Sequence, residues 1–182
     1  KPRTNLPAAL TSFVGRAAAV VEVAQLVAHQ RLVTLTGAGG VGKTRLALEV
    51  GKALLDVGGG PLGALLDSTA SPSTTLKFPD GVWFVDLAPL TAPEALPQRI
   101  LDLWRVPEQA QATPFATLTN YLSAKQILLI LDNCEHLIDA CARLAETLLQ
   151  HCPQLSLLTT SREALNIGGE TPWRVPSLTR PR

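Results

Sequence analysis

Short apolar runs alternate with amphipathic segments along the chain. Runs of leucine, isoleucine, valine and threonine predict strands, and apolar residues that recur every three or four positions predict helices. Strands are predicted at residues 31–36, 82–86, 126–131, 155–160 and 171–175, the last of which contains Pro172. Helices are predicted at residues 43–55, 92–103, 114–123 and 137–151.

This alternation of strands and helices predicts the class of fold. The central runs are apolar at successive positions, so each strand has two apolar faces, and helices separate most strands along the chain. Such strands form parallel sheets that helices cover on both sides. We therefore expect a three-layer α/β fold, with a mainly parallel central sheet of about five strands. Ligands bind such sheets at the carboxyl ends of the strands.

One segment departs from the alternating pattern. Residues 57–80 are rich in glycine, serine and threonine, a composition too polar and flexible to pack continuously. We expect an insertion on the surface, either a mobile loop with no function of its own or an element that binds a partner. A chain of 182 residues is long enough for one α/β domain, so a single domain is expected over residues 1–182.

Composition narrows the range of partners. The chain has 16 basic and 15 acidic residues, and this balance offers no general electrostatic attraction to nucleic acid or to a membrane surface. No apolar run approaches the roughly 20 residues that span a bilayer. The polar start at Lys1 does not resemble a signal peptide. We expect a cytoplasmic location, and the first and last residues indicate a piece of a larger protein.

Three cysteines lie close together in the sequence with two histidines. Cys134, Cys141 and Cys152 form no CxxC pair, which is typical of reduced thiols in a cytosolic protein. Their spacing with His136 and His151 matches no standard zinc pattern. Because Cys141 falls on the apolar face of a predicted helix, core packing is favoured over metal ligation.

The strongest chemical signal follows the first predicted strand. The glycines of this loop let the backbone curl, so that successive N–H groups point at a phosphate. Lys43 adds a positive charge for the β and γ phosphates, Thr44 offers its hydroxyl to Mg²⁺, and the next helix presents its positive N-terminal end. The predicted nucleotide-binding residues of this P-loop are Gly37, Ala38, Gly39, Gly40, Val41, Gly42, Lys43, Thr44 and Arg45. The expected ligand is ATP or ADP.

A second signal is an acidic residue at the end of the most apolar strand. Asp132 follows a run of isoleucine and leucine, and a strand-end carboxylate is what the Mg²⁺ shell of a P-loop enzyme requires. P-loop ATPases of this layout usually carry glutamate at the next position to orient the attacking water, but this chain has Asn133. An amide can hold water but cannot take its proton. Glu135 is therefore the alternative catalytic candidate, unless it serves the N-terminal turn of the helix.

Two further groups of residues complete the set of candidates. Arg162 follows the predicted strand at residues 155–160, beside Thr160 and Ser161. It is interpreted as a sensor of the γ-phosphate, the alternative being an arginine at the surface of the sheet. Trp83, Trp104 and Trp173 are assigned to packing rather than to stacking on a base. The predicted catalytic set is Lys43, Asp132, Asn133, Glu135 and Arg162, with Thr44 and Asp132 for the metal.

Five segments together resemble a known family. They are NLPAALTSFVGR at residues 5–16, LVTLTGAGGVGKTRLA at 32–47, GVWFVDL at 81–87, LDNCEH at 131–136 and TSRE at 160–163. In this order they resemble the STAND class of signal-transduction ATPases. Within that class they are similar to the NB-ARC-like ATPase domain of large bacterial transcriptional regulators of the AfsR and LuxR-associated kind. The resemblance covers most of the chain except residues 57–77.

The resemblance implies how the base is held. In that family the segment matching residues 13–16 lies against the adenine, which implies Val14 and Arg16 as base contacts. These residues belong to an N-terminal segment and helix at residues 1–30. The family usually has glutamate after this arginine, whereas this chain has Ala17.

The resemblance also implies a role and a set of partners. Triphosphate would favour an open, assembling state of such a switch and diphosphate a closed one, with slow Mg²⁺-dependent hydrolysis between them. The implied partners are the nucleotide, the flanking helical, winged-helix and DNA-binding domains of the intact protein, and further copies in nucleotide-dependent self-assembly. Neither a membrane nor direct nucleic-acid binding by this segment is expected.

Two other functions stay open at this stage. A small-molecule or nucleotide kinase shares the P-loop, but such kinases usually carry arginine-rich lid loops. The region available for a lid, residues 57–80, has no arginine and one lysine. A nucleotide-binding module that does not hydrolyse its ligand is the other alternative, and Asn133 favours it.

Overall fold

The computed structural model describes residues 3–7, 16–55 and 78–177. The helices in these ranges are α1 (Ala17–His29), α2 (Lys43–Leu55), α3 (Leu96–Leu101), α4 (Pro114–Leu122) and α5 (Ile138–His151). The strands are β1 (Leu32–Thr36), β2 (Val82–Asp86), β3 (Leu128–Asp132), β4 (Ser156–Ser161) and β5 (Glu170–Arg174). Single 3₁₀ turns occupy Pro93–Ala95, Asp102–Trp104 and Cys134–Leu137.

The five strands form one parallel sheet in the order β2-β3-β4-β1-β5. Successive side chains of a strand point to opposite faces of the sheet, so a continuous apolar run places apolar side chains on both faces. Within β3, Leu129 and Leu131 pack with α3, α4 and α5, whereas Leu128 and Ile130 pack with α1 and α2. The predicted three-layer α/β fold with helices on both faces is confirmed.

The register of the strands brings polar residues together at the carboxyl edge of the sheet. Asp86 at the end of β2 is paired with Asp132 at the end of β3. On the other side of β3, Leu131 is paired with Thr159, so Thr160 lies beside Asp132. β1 ends next to β4, with Thr36 opposite Ser161. The loop that follows β1 therefore opens toward these carboxylates and hydroxyls.

Most predicted elements agree with the structure within two residues at each end. The helix predicted at residues 92–103 is shorter, because α3 has six residues between two 3₁₀ turns. The strand with Pro172 lies at the edge of the sheet, where it pairs with β1 alone among the described strands. A proline can occupy an edge strand because its missing N–H leaves no ladder bond unmade on the open side.

Residues near the chain's start cover the other edge of the sheet. Thr4 forms a parallel bridge with Val82, and the Asn5 side chain exchanges two 2.7 Å hydrogen bonds with the backbone of Phe84. Gly81, at φ +102°, allows this approach, because a Cβ there would lie 1.7 Å from the Arg3 carbonyl oxygen. Residues 3–7 of the predicted adenine-contacting segment thus lie along β2.

Some predicted features fall outside the described residues. They are Val14, with the rest of residues 8–15, and residues 57–77 of the predicted insertion. All three cysteines are buried, with Cys141 in the core as its helical position predicted. None of the described helices is both long and apolar enough to cross a bilayer.

Candidate nucleotide-binding site

The loop between β1 and α2 has the backbone form of a phosphate cradle. Gly40 and Gly42 adopt φ values of +82° and +93°, which glycine reaches without steric cost. Ala38, Gly39 and Gly40 are exposed, and the N–H of Val41 donates to the carbonyl of Ala38 at 3.4 Å. α2 begins at Lys43, so the loop runs directly into the positive end of a helix. The predicted order of strand, glycine loop and helix is present.

Lys43 is a buried cation at the centre of this loop. The residue is 7% exposed, and its Nζ donates to the carbonyl oxygens of Gly37 and Ala38 at 2.8 Å each. An ammonium has three N–H bonds. Two carbonyl contacts therefore leave one donor for a phosphate oxygen. The carbonyls also hold the ammonium in place, so that it is positioned before any ligand binds.

Thr44 and Asp132 form the predicted metal pair. The Thr44 hydroxyl donates to the Asp132 carboxylate, whose oxygens lie 2.8 and 2.9 Å from it. Asp132 is 1% exposed and accepts a further 2.6 Å hydrogen bond from the Thr160 hydroxyl. A threonine that donates its proton in this way keeps its oxygen lone pairs for a cation.

The Asp132 carboxyl has two further acidic side chains near it, Asp86 and Glu135. Burial raises the pKa of the Asp132 carboxyl above its ordinary value, and repulsion from Asp86 and Glu135 adds to the increase. The hydrogen bonds from Thr160 and Thr44 act in the opposite direction. Carboxylate and hydroxyl oxygens are the ligands that Mg²⁺ prefers, so the buried Asp132 carboxylate beside the Thr44 hydroxyl suits a divalent cation.

Asn133 links two of these carboxylates. Its side-chain nitrogen donates to Asp86 at 3.1 Å and to Asp132 at 3.0 Å. Its backbone N–H donates to the Thr160 hydroxyl at 2.9 Å. The residue has φ +63°, a left-handed conformation that asparagine adopts more readily than most residues. The asparagine is thus turned toward the acids by both its backbone and its side chain.

Arg16 lies against the P-loop from the N-terminal side. A Cβ on Gly42 would lie 3.3 Å from its Nη1, so glycine is needed here for close approach as well as for its φ. Nη2 donates to the carbonyl of Pro176 at 3.2 Å. Nη1 is buried and has no hydrogen-bond partner among the described residues. A buried donor without a partner indicates a missing acceptor, and a nucleotide provides one.

The remaining predicted residues lie around this loop. Arg162 is exposed at the end of β4, with its Nη2 3.3 Å from the position of a Cβ on Gly39. Arg45 forms a 3.3 Å ion pair with Glu49 one turn along α2. Glu135 follows Asp132 closely, and its Oε2 is buried without a hydrogen-bond partner in the described part of the chain. The predicted site residues that are described therefore lie close to one another, and their roles stay predictions.

A nucleotide with Mg²⁺ fits the residues present. The open glycine loop and Lys43 suit phosphates, and the Thr44–Asp132 pair suits the cation. The unpartnered Arg16 nitrogen suits an anion, and Arg162 lies at the exposed side of the loop. No group of three or more histidine, cysteine, aspartate or glutamate side chains is placed to hold a metal ion in the ranges that the structure describes, so the cation would depend on the Thr44–Asp132 pair together with the phosphates.

Sequence reasoning missed two members of this site. The sequence places Asp86 only at the end of a predicted strand. In the structure its carboxylate accepts one hydrogen bond from the Asn133 side chain, at 3.1 Å, and another from the Ala88 N–H, at 2.9 Å. Thr160 was noted beside Arg162, and it is the residue that bonds both Asp132 and Asn133. The available signal was a polar residue at the carboxyl end of a predicted strand, which both residues share.

The parallel sheet, the glycine loop after β1 and the aspartate that ends β3, with β4 between them, define a P-loop NTPase domain. The sequence model of the family described as "AAA domain" matches residues 26–167. The chain belongs to this family and is an AAA-type ATPase domain, a family membership that implies the use of a nucleotide and Mg²⁺.

Two curated proteins of Mycobacterium tuberculosis are similar to the chain. Uncharacterized protein Rv0894 is 40% identical over 169 residues, which is 93% of this chain and 38% of that protein. Rv0890c, whose name describes an HTH-type transcriptional regulator, is 40% identical over 153 residues, or 84% of this chain and 15% of that protein. The chain thus spans well under half the length of either relative.

Two solved structures share the fold. A STAND protein with a tetratricopeptide-repeat sensor from Pyrococcus horikoshii has a TM-score of 0.59 at 15% identity, covering 93% of this chain and 24% of that one. The Orc1 protein of Aeropyrum pernix, solved with DNA, has a TM-score of 0.58 at 19% identity, covering 92% of this chain and 47% of that one. At these identities the likeness concerns the fold alone.

Proposed function

We propose that this domain is an ATP/ADP-controlled switch that binds its nucleotide through the P-loop and Mg²⁺ and hydrolyses ATP slowly. Family membership supports nucleotide use in general. The switch and the slow hydrolysis are inferences from the hydrogen bonds among the residues around Asp132. A regulatory ATPase needs firm binding of the nucleotide and does not need rapid turnover.

The residues that would hold the ligand are positioned in the free protein. The Lys43 ammonium is fixed by two carbonyls, and the Thr44 hydroxyl by Asp132. Thr44 and Asp132 would hold Mg²⁺, whose charge would offset the negative charge of the phosphates. Because these side chains are already ordered, binding the nucleotide costs little side-chain entropy. Their contacts therefore contribute to the affinity for the ground-state nucleotide.

The observation that carries slow hydrolysis is the orientation of Asn133. Its amide nitrogen donates to Asp86 and Asp132, so the side chain is engaged with acids that would serve the cation. An amide has no basic group to accept a proton from water, and its place in this network resists reorientation. The position that usually orients the attacking water therefore acts here as a spacer between two carboxylates.

Glu135 is the carboxylate that remains for the water. Its unpartnered, buried Oε2 calls for a hydrogen-bond donor, and a water molecule is the smallest donor that fits the requirement. In the proposed reaction a water molecule attacks the γ-phosphorus, and the bond from this phosphorus to the β–γ bridging oxygen breaks, which releases ADP. Glu135 accepts a proton from the attacking water and then returns it to the phosphate product. Arg162, beside Gly39, would contact the transferred group.

The regulatory part of the proposal rests on a relative and on Arg16. A relative that is 40% identical over this domain has a name describing an HTH-type transcriptional regulator. In such a protein the flanking domains, DNA binding and self-assembly would respond to the bound nucleotide. Arg16 joins the P-loop to Pro176, in the segment that follows β5. An anion bound to the unpartnered nitrogen of Arg16 could therefore affect the position of the segment that follows β5.

Single-turnover measurements of phosphate release test this function. The unmodified domain is expected to bind MgATP and to release phosphate well below the typical range of roughly 1–10³ per second. Asn133→Glu is expected to lower the rate further, because it would add another carboxylate beside Asp86 and Asp132, whereas Asn133→Gln preserves the charge and serves as the control. Rapid turnover by the unmodified domain, or a faster Asn133→Glu variant, would refute the role given to Asn133.

A further inference from the structure

A second groove lies at the end of the sheet opposite to the P-loop. It has a volume of about 590 Å³ and opens to solvent. Its floor is formed where β2 and β3 begin, and its walls come from the segments that end α3 and α4. The lining residues are Arg3, Pro79, Asp80, Trp83, Leu103, Trp104, Arg105, Tyr121, Lys125 and Ile127. The candidate nucleotide site uses none of them.

A row of aromatic rings forms the apolar wall. Trp104 packs edge-on against Trp83, with ring centroids 5.5 Å apart, and lies 4.9 Å from the ring of Tyr121. Trp83 is 9% exposed, and its ring nitrogen donates to the Asp80 carbonyl at 3.0 Å. These contacts occupy much of the ring faces. The groove therefore has one wall of aromatic rings that pack against one another.

Cations outnumber acids around this wall. Arg3 and Arg105 are exposed, and the Lys125 ammonium lies 5.2 Å from the centre of the Tyr121 ring. Asp80 is the single acid of the lining, and its carboxylate already accepts the N–H of Gln126 at 2.8 Å. The lining thus has three basic side chains and one acid. In a chain with almost no net charge, this is a local positive field beside an apolar surface.

We propose that this groove binds an acidic peptide segment that carries an apolar side chain. The three cations would face its carboxylates, and the Trp104 and Leu103 side chains would contact its apolar residue. A single-stranded nucleic acid would need open ring faces on which its bases could stack, and these rings are engaged with one another. A small ligand would need a more enclosed cavity. An open groove with an apolar wall and a cationic rim matches a peptide.

Tyr121 adds a donor to the groove. Burial, followed by the negative charge of Asp80, raises the pKa of its phenol above the ordinary value. Like any protonated phenol, it can donate a hydrogen bond to a carboxylate.

Trp83, Trp104 and Trp173 are the three tryptophans of the chain, and the third lies on β5, where its ring nitrogen donates a hydrogen bond to Glu22. A Trp173→Phe variant therefore makes tryptophan fluorescence report on the groove.

The test is a titration of Trp173→Phe protein with a short synthetic peptide in which glutamates flank a pair of leucines. We expect a saturable change in fluorescence, and about tenfold weaker binding when Arg105→Glu and Lys125→Glu are combined. Matched peptides carry lysine in place of glutamate, or serine in place of leucine, and both are expected to bind weakly. Arg143→Glu, an exposed reversal on α5, is the control for net charge.

Three kinds of result would overturn the proposal. One is binding that does not depend on charge, seen either as equal binding of the lysine peptide or as no effect of the charge reversals. Another is competition by a single-stranded oligonucleotide at lower concentration than the acidic peptide, which would assign the groove to nucleic acid. The third is self-association in sedimentation that the reversals abolish, which would assign it to a second copy of the chain. Nucleotide affinity is measured in parallel and is expected to be equal in every variant.

Discussion

The two ends of one parallel sheet have different chemistry. At the carboxyl end, polar side chains form hydrogen bonds with Asp132, and the candidate phosphate site is formed by the glycine-rich backbone of the P-loop. At the amino end, aromatic rings from β2, α4 and the turn after α3 pack together beside exposed cations. The first end is suited to phosphates and a metal ion, and the second to a larger, partly apolar partner.

This difference shows how the same strands can serve two kinds of recognition. In the first site Lys43 and Thr44 are held by hydrogen bonds to the protein's own oxygen atoms. In the second, Arg3 and Arg105 are exposed. Contacts between fixed, buried charges are stronger than contacts between exposed ones. Substitutions at the carboxyl end should therefore have larger effects, and each variant below is compared with one from elsewhere in the chain.

The largest effect is expected for Glu135→Gln. If the Glu135 carboxylate accepts the proton of the attacking water, its loss should lower the single-turnover rate by about 100-fold or more, within the usual range for a general base. Nucleotide affinity should change little, because the amide preserves the shape of the side chain. Glu146→Gln, on the exposed face of α5, is the matched control. An unchanged rate would show that the unpartnered Glu135 oxygen has no part in hydrolysis.

Lys43→Ala should have the next largest effect, and it acts on binding. A hydrogen bond between a charged donor and a phosphate contributes about 1.5–3 kcal/mol. Loss of this contact should weaken MgATP binding about tenfold to a hundredfold in titration calorimetry. Lys125→Ala at the amino end of the sheet is the control and should leave the affinity unchanged. Equal affinity in Lys43→Ala and unmodified protein would contradict the assignment of the P-loop.

A smaller effect, on stability, is expected for Asp86→Asn. The substitution removes one of the two negative charges that repel the Asp132 carboxylate. An amide oxygen at position 86 can still accept the hydrogen bonds from Asn133 and Ala88. Relief of this repulsion should stabilise the nucleotide-free fold by up to about 1 kcal/mol. Calorimetry without Mg²⁺ should then show a melting temperature about 2–4 °C higher. Asp139→Asn, exposed on α5, is the control. A lower melting temperature would show that Asn133 needs the full charge of Asp86.

The fold and the P-loop could be predicted because their signals are local. The apolar runs of β3 and β4 have no alternative to a buried sheet, and the eight residues from Gly37 to Thr44 specify their own conformation. Asp132 could be predicted from the strand before it. The boundaries of α3 could not, because they depend on how its short turns pack rather than on periodicity.

The bonding among the acids could not be predicted, because it depends on strand register. Asp86 and Asp132 are 46 positions apart, and nothing in either segment shows that the two strands are neighbours in register. The orientation of Asn133 follows from that pairing and from a left-handed backbone. The aromatic groove was missed for the same reason. Trp83, Trp104 and Tyr121 come from three segments, and each tryptophan alone was read correctly as a packing residue.

The smallest effect concerns the amino end and can be observed directly, because Tyr121 is the chain's single tyrosine. Its raised pKa means that phenolate absorbance should appear at higher pH than in a free tyrosine, for which the pKa is about 10. Since burial is the main cause, Asp80→Asn should lower the apparent pKa by part of the shift, and Asp102→Asn should not. Above about pH 10 the unfolded chain releases its phenolic proton at a lower pH than the folded chain does. The free energy of unfolding should therefore decrease as pH rises through this range. A phenol that titrates like free tyrosine would show that the aromatic wall is open to solvent, and the contrast between the two ends of the sheet would then rest on the carboxyl end alone.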